Sequence, residues 1–319
     1  MSSPRPVLAL DIGGTKLAAA VVDAAGRVDG LTVEPTRPHE GWQVITRRLF
    51  DMGRKALHAS GGGTPGVVGI ACGGPLDASS GVLLSPPNLP GWVKVPIGPM
   101  ATQAFGVPFA LENDAAAGAL AEHRFGAGRG VASMLYLTIS TGVGGGAIVD
   151  GSLLRGATGN GGEFGHLTVQ RGGRLCGCGR RGCLEAYASG TAIAQQAAQA
   201  LAKEDITAAD VARAAATGDP AAGAIWAEAM DALGGAVTDL VNVFEPNVVV
   251  LGGGVTRSGA LLFDPVREIV AREAISPAAG AVQIVPAGLG DLVGVAGAGI
   301  VGQMRLERME CGNTPEEAR

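Results

Sequence analysis

Apolar positions divide the chain into strands, helices and glycine-rich breaks. Val7–Leu10 is a continuous apolar run short enough for a buried strand, and Leu17–Val22 is a second, closed by a turn at Asp23-Ala-Ala-Gly26. Trp42–Ala59 carries apolar side chains at helical spacing until Ser60-Gly-Gly-Gly63 ends the pattern. Val67–Ala71 predicts another buried strand, broken at Gly73-Gly74-Pro75. Phe109–Leu111 predicts a short strand that delivers Glu112-Asn113-Asp114 to its end, and Ala115–Arg124 predicts the helix that follows.

A second unit begins near Ala132. Met134–Ile139 is strand-like, Ser140–Gly146 is a glycine-rich turn, and Ala147–Val149 is a further strand. Leu8–Thr15 with Leu17–Asp23, and Leu137–Thr141 with Ala147–Asp150, share one order: strand, glycine turn, strand, aspartate. A repeat of this kind predicts two related α/β domains. The alternative is two unrelated hairpins in a glycine-rich chain. Beyond Thr191 the pattern is mostly helical. It includes Ile206–Ala216, with Thr207 as N-cap, and Ile225–Phe244, interrupted at Gly234-Gly235. Asn247–Leu251 is a buried strand that runs into Gly252-Gly253-Gly254, Gly290–Gln303 returns to helical spacing, and Glu307–Arg319 reads as a frayed polar tail. The expected organisation is a small domain over 1–116 and a large one over 117–303. A C-terminal helix over about 304–319 would pack back on the small domain.

Composition narrows the picture. A chain of 319 residues that is 47% hydrophobic has ample material for two cores. With 4% aromatics and 53 glycines, those cores must use Ala, Val, Leu and Ile with close backbone approaches. The formal charge is −5 and no Lys/Arg-rich block occurs, so no nucleic-acid footprint is expected. No apolar run is long enough to span a membrane, and the short Val7–Leu10 run meets Asp11 at once, unlike a signal peptide. The five cysteines are Cys72, Cys176, Cys178, Cys183 and Cys311. Their odd number and clustering argue against a secreted disulfide framework and for a reducing, cytoplasmic setting.

Several strings carry chemistry. In Asp11-Ile-Gly13-Gly14-Thr15-Lys16 the glycines let backbone approach a phosphate, Thr15 adds a hydroxyl, and Asp11 suits Mg²⁺ held through water. Thr141-Gly142-Val-Gly144-Gly-Gly146 is its partner loop. Neither matches a P-loop, and a strand rather than a helix follows the glycines, unlike a dinucleotide fingerprint. Gly252-Gly253-Gly254 suits a nucleotide base or ribose, with Gly253 and Gly254 as the candidate contacts, and equally suits a plain turn. Phosphoryl transfer to an alcohol needs a carboxylate near the hydroxyl, and Glu112-Asn113-Asp114 offers one at a strand end. An isolated Asn-Asp pair reads first as a helix cap. Cys176, Cys178 and Cys183 have C-x-C-x₄-C spacing with His166 ten residues upstream, a Cys₃His set for a closed structural Zn²⁺ site. Such a metal would fix Glu163 and Glu185 on either side, carboxylates suited to sugar hydroxyls. Cys72 and Cys311 read as a core thiol and a tail thiol.

Together the Asp11–Lys16, Glu112–Asp114, Thr141–Gly146, Gly162–His166 and Cys176–Glu185 strings resemble the ROK family of bacterial sugar kinases, repressors and open-reading-frame products. The resemblance runs from Asp11 to the Gly290–Gln303 region. It implies an actin-like (ribonuclease H-like) ATPase fold, two α/β domains around a cleft. It also implies ATP-dependent hexose phosphorylation, with Asp114 as general base. The sugar set would be Gly74, Asn88, Asn113, Asp114, Glu163, His166 and Glu185, where Asn88 lies in Ser85–Trp92. Asp11 and the two glycine turns would form the ATP and Mg²⁺ sites. His166 would serve zinc with one ring nitrogen and sugar with the other. The Leu184–Gly190 string and zinc loop are most similar to glucokinases, with N-acetylmannosamine kinases sharing much of the pattern. Cys72-Gly-Gly-Pro75 departs from the Pro-Gly-Pro of many members. Family repressors carry a winged helix before the first glycine turn, where only ten residues precede Asp11 here. A non-catalytic sensor would lack Asp114 or Asp11. A homo-oligomer, dimer or tetramer, is implied by the resemblance.

Overall fold

The computed structural model describes residues 5–202 and 205–312. The first part of the chain forms β1 (Val7–Ile12), β2 (Lys16–Val22), β3 (Val28–Pro35), α1 (Trp42–Ala59), β4 (Val67–Cys72), β5 (Leu76–Asp77) and β6 (Val82–Leu83). It continues with α2 (Ile97–Phe105), β7 (Phe109–Asn113) and α3 (Asp114–Phe125). The second part forms β8 (Met134–Ile139), β9 (Val143–Val149), β10 (Ser152–Leu153), α4 (Glu185–Ala188), α5 (Gly190–Leu201), α6 (Ala208–Ala216) and α7 (Pro220–Phe244). β11 (Val248–Gly252), α8 (Ala260–Glu273), α9 (Ala278–Ala281), β12 (Gln283–Pro286) and α10 (Val293–Glu310) complete it.

Two compact units result. Unit 1 comprises Met1–Gly126, Arg155–Gly161 and Asp291–Arg319, and unit 2 comprises Ala127–Leu154 and Gly162–Gly290. Each holds a five-stranded sheet, in the order β3-β2-β1-β4-β7 and β10-β9-β8-β11-β12 respectively. β1 runs antiparallel to β2 and parallel to β4; β8 runs antiparallel to β9 and parallel to β11. The repeat legible in two glycine hairpins therefore extends to whole sheets, the duplicated layout of an actin-like ATPase. β1, β4, β8 and β11 are almost wholly buried, which is why they read as continuous apolar runs rather than alternating ones.

Three boundaries differ from the sequence-based expectation. The first is the domain division. α3 belongs to unit 1 beyond residue 116, and the C-terminal helix starts at Val293 rather than about 304, so unit 1 also claims 291–303. Close packing of small residues explains this. A Cβ on Gly69 in β4 would overlap the Ala298 carbonyl, and one on Gly297 would stand 2.8 Å from the Ala117 backbone in α3. The second is α7, which runs unbroken through Gly234-Gly235 from Pro220. Gly234 makes room for Ile269 of α8, whose Cδ1 would lie 2.6 Å from a Cβ there. The third is β9, which starts at Val143, so Gly144–Gly146 pair with Thr138, Leu137 and Tyr136 instead of forming turn. Gly145 is bare because the Phe164 ring fills the space a Cβ would take. The Thr207 cap is present, closed as a box by Asp210, whose Oδ2 accepts the Thr207 N–H at 3.0 Å. Residues 313–319 of the expected tail lie outside the described residues.

Candidate active site

In unit 1 the sheet brings acidic groups to the ends of β1 and β7, on either side of β4. Asp11 sits one residue before the end of β1, in register with Ala71 of β4. Burial, and then the charge of Asp114, raise its pKa to about 7, while Lys16 opposes the shift. The start of α10 seals it: Gly294 is bare where a Cβ would overlap the Asp11 carboxylate. After Asp11 the chain turns through Gly13-Gly14-Thr15, and the Gly13 N–H donates to the Lys16 carbonyl at 3.0 Å. Thr36 holds this turn from behind. Its buried hydroxyl donates to the Gly13 carbonyl at 2.6 Å and its N–H to the Thr15 carbonyl at 3.0 Å.

β7 ends at Asn113 and α3 starts at Asp114, which decides which of the two is the cap. Asn113 is the cap: its Oδ1 accepts the N–H groups of Ala115 and Ala116 at 2.9 and 3.2 Å. Asp114 is thereby released from that duty, although its Oδ1 also accepts the Ala115 N–H at 2.8 Å. Asp114 is exposed by surface area, yet surrounding protein desolvates its carboxylate and raises its pKa, with backbone N–H groups pulling the other way. Gly73 lies against it, since a Cβ there would stand 3.8 Å from Oδ2. Cys72, a buried thiol as expected, neighbours both acids, and burial, Asp114 and Asp11 raise its pKa. Exposed Asn88 rests on the glycine turn, its Cβ 2.7 Å from where a Gly14 Cβ would be. The Gly74–Pro75 peptide is cis.

In unit 2 the zinc-type ligands converge. One ligand atom from each of His166, Cys176, Cys178 and Cys183 lies within 4.8 Å of the others. His166 Nδ1 is 3.7 Å from Cys176 Sγ, and Cys178 Sγ is 3.7 Å from Cys183 Sγ. The Nε2 of His166 faces Glu163 at 3.9 Å, so the two ring nitrogens have separate directions. Burial pushes the Cys176 thiol up, and a buried thiolate there requires a cation beside it. The donor set therefore fits Zn²⁺. Short loop contacts frame it: the Cys176 N–H donates to the Arg180 carbonyl at 2.8 Å, and Thr168 bridges Cys183.

Glu185, expected beside sugar, sits against the second glycine turn. Its Oε2 accepts the Val143 N–H at 2.9 Å and fills the place of a Gly142 side chain, while Oε1 lies 3.6 Å from Cys176 Sγ. Thr141 and Gly142 form the turn with Ser140, whose N–H donates to the Gly142 carbonyl at 2.8 Å. Gly253, at φ 89°, is bare because the Ile139 backbone crowds it, whereas nothing lies within 4 Å of a Cβ on Gly254. Of the expected nucleotide pair, open space remains only at Gly254. The expected residues thus assemble as two sets, one in each unit. The sequence does not single out Thr36, Gly294 or Arg155. Their partners lie far along the chain, and no local pattern marks them.

The ROK family model matches residues 7–304. A glucokinase from Thermotoga maritima is 34% identical over 94% of this chain and 98% of its own length. An N-acetylmannosamine kinase from Yersinia pseudotuberculosis is 38% identical, over 78% of this chain and 82% of its own. Among solved structures, a ROK glucokinase from Streptomyces griseus in complex with glucose and AMPPNP has a TM-score of 0.81 and 35% identity, covering 94% of this chain and 99% of that one.

Proposed function

The chain belongs to the ROK family, and from that premise we propose that it is an ATP-dependent hexose kinase that converts glucose to glucose 6-phosphate. The observation that carries the reading is the division of labour at the end of β7: Asn113 caps α3, and Asp114 is left with a raised pKa close enough to Asp11 for their charges to interact. A carboxylate of raised pKa is a better proton acceptor for an alcohol. Asp114 takes the proton of the attacking hydroxyl as its oxygen bonds to the γ-phosphorus and the bond to the ADP oxygen breaks.

Gly74, Asn88, Asn113, Glu163, His166 and Glu185 orient the sugar. The Gly13–Lys16 and Thr141–Gly144 backbones hold the ATP phosphates, with Gly253 and Gly254 toward the base. Asp11 is the residue that would hold Mg²⁺, through water, and the cation would neutralise phosphate charge. His166, Cys176, Cys178 and Cys183 would hold Zn²⁺, a structural ion whose ligand set leaves no position for chemistry. We place the protein in the cytoplasm as a homo-oligomer without nucleic-acid or membrane partners. Among the described residues no helix is long and apolar enough to cross a membrane.

The test is ADP release across glucose, mannose, fructose, N-acetylglucosamine and N-acetylmannosamine. Glucose should show the highest kcat/KM, and no turnover on any of the five would overturn the reading. The Yersinia pseudotuberculosis relative supports a second reading, N-acetylmannosamine as substrate, which the same panel decides.

A further inference from the structure

Segment 155–161 belongs to unit 1, although the chain on both sides of it belongs to unit 2. Two side chains anchor it. Arg155 donates from Nε to Glu112 Oε2 at 3.1 Å. Asn160 makes a two-way bond to the Leu76 backbone: Oδ1 accepts its N–H and Nδ2 donates to its carbonyl, each at 3.3 Å. Both anchor points adjoin proposed sugar-handling residues. Glu112 immediately precedes Asn113 and Asp114, and Leu76 stands two residues after Gly74.

Glu112 divides its hydrogen bonds between two partners, and the charge of Arg308 adds a weaker pull than that of Arg155. Oε1 accepts the Asn113 N–H at 3.1 Å, and Oε2 faces Arg155. Only 4% of the Glu112 side chain is exposed, against 39% for Arg155. A carboxylate this buried stays ionised only beside a counter-charge; without one it takes up a proton or destabilises its surroundings. An ionised acceptor also holds an N–H more firmly than a neutral one. Arg155 thus acts on the peptide between Glu112 and Asn113. Asn113 in turn fixes the first turn of α3 through Ala115 and Ala116, and Asp114 is the first residue of that turn.

We propose that Arg155 is a positioning residue for phosphoryl transfer: by pairing with Glu112 it sets the strand end that aims Asp114, while Asn160 steadies the turn that carries Gly74. This rests on Asp114 being the base. Phosphoryl transfer depends on alignment, and small misplacement of a reacting group is costly.

The experiment compares the wild type with Arg155→Met, Arg155→Lys and the double variant Glu112→Gln/Arg155→Met, in steady-state kinetics and thermal melts. Arg155→Met should lower kcat on the preferred hexose by about 10- to 100-fold, with the KM for ATP within about twofold. Arg155→Lys keeps the charge and should retain most of kcat. In the double variant the Gln oxygen still accepts the Asn113 N–H and needs no counter-charge, so kcat should recover by about tenfold over Arg155→Met. An active wild type whose Arg155→Met variant turns over normally would overturn the proposal. So would a double variant no faster than Arg155→Met, or loss of kcat in Arg155→Lys equal to that in Arg155→Met. If Arg155→Met does not fold, the other two variants are read against the wild type: both should keep kcat within about tenfold of it, and a larger fall in either would overturn the proposal. A wild type inert on every hexose would overturn the kinase reading itself, and this proposal with it.

Discussion

The two glycine hairpins share a scaffold and differ in what they hold. In unit 1, Asp11 pairs with Ala18 and Ala71; in unit 2, the corresponding position is Thr138, paired with Gly144 and Gly252. The first hairpin thus carries an acid in its strand, whereas the second is almost bare and receives its carboxylate from outside, as Glu185 of α4. Thr36 braces the first turn from the neighbouring strand, and Glu185 braces the second from the cysteine loop. Under the proposed function, a duplicated sheet supplies a proton-handling half and a half whose phosphate turn depends on a loop that a metal would stiffen.

That contrast can be broken in each half. The largest effect should come from Asp114→Asn. Turnover should fall by about 10²–10⁴-fold while glucose binding persists in calorimetry; near-normal turnover would remove Asp114 as base. Next is the metal. Purified protein should contain about one Zn²⁺ per chain, and Cys183→Ser should lose it along with several degrees of Tm. A metal-free wild type would refute the site.

A smaller effect, opposite in sign, is expected at Asp11. Its folded pKa of about 7 lies above the ordinary 3.8, so the folded state binds the proton more tightly than the unfolded chain. Ionisation therefore costs stability progressively as pH rises from about 4 to 7, and fully above 7. Without Mg²⁺, Asp11→Asn should stabilise the fold by roughly 2–4 kcal/mol at pH 8 and hardly at all near pH 4, as read from denaturant midpoints. Equal effects at both pH values would show that burial of that charge is not the cause. The smallest effect is expected for Gly142→Ala, whose methyl would meet the Glu185 carboxylate. The KM for ATP should rise roughly fivefold, about 1 kcal/mol, with metal content unchanged.

Much of this site was legible because its chemistry is compressed into short strings. Asp11–Lys16 lies on one hairpin, and the cysteine spacing brings three thiols together with little help from the fold. The proposed base was less legible, since Asn113 and Asp114 compete for one cap and only the observed hydrogen bonds separate them. Glycine misled most. Gly144–Gly146 and Gly234 read as breaks but serve pairing and packing, because a missing side chain looks alike whether a turn, an aromatic ring or a helix takes its place. β3 carries exposed Leu31 and Val33 on one side and polar residues among them, so its alternation was too weak to register. The Arg155–Glu112 pair joins residues 43 apart, and nothing local hints at it.

The discontinuity of unit 1 has a consequence for how the chain is made. Its central strands are synthesised before unit 2, but α10, the helix that lies against Gly69 and Asp11, is synthesised after it. Unit 2 is complete in sequence by Gly290, while unit 1 still lacks a wall. The half that carries the proposed base is thus finished after the other, so a translation product interrupted before α10 would have an assembled cysteine loop and no sealed Asp11.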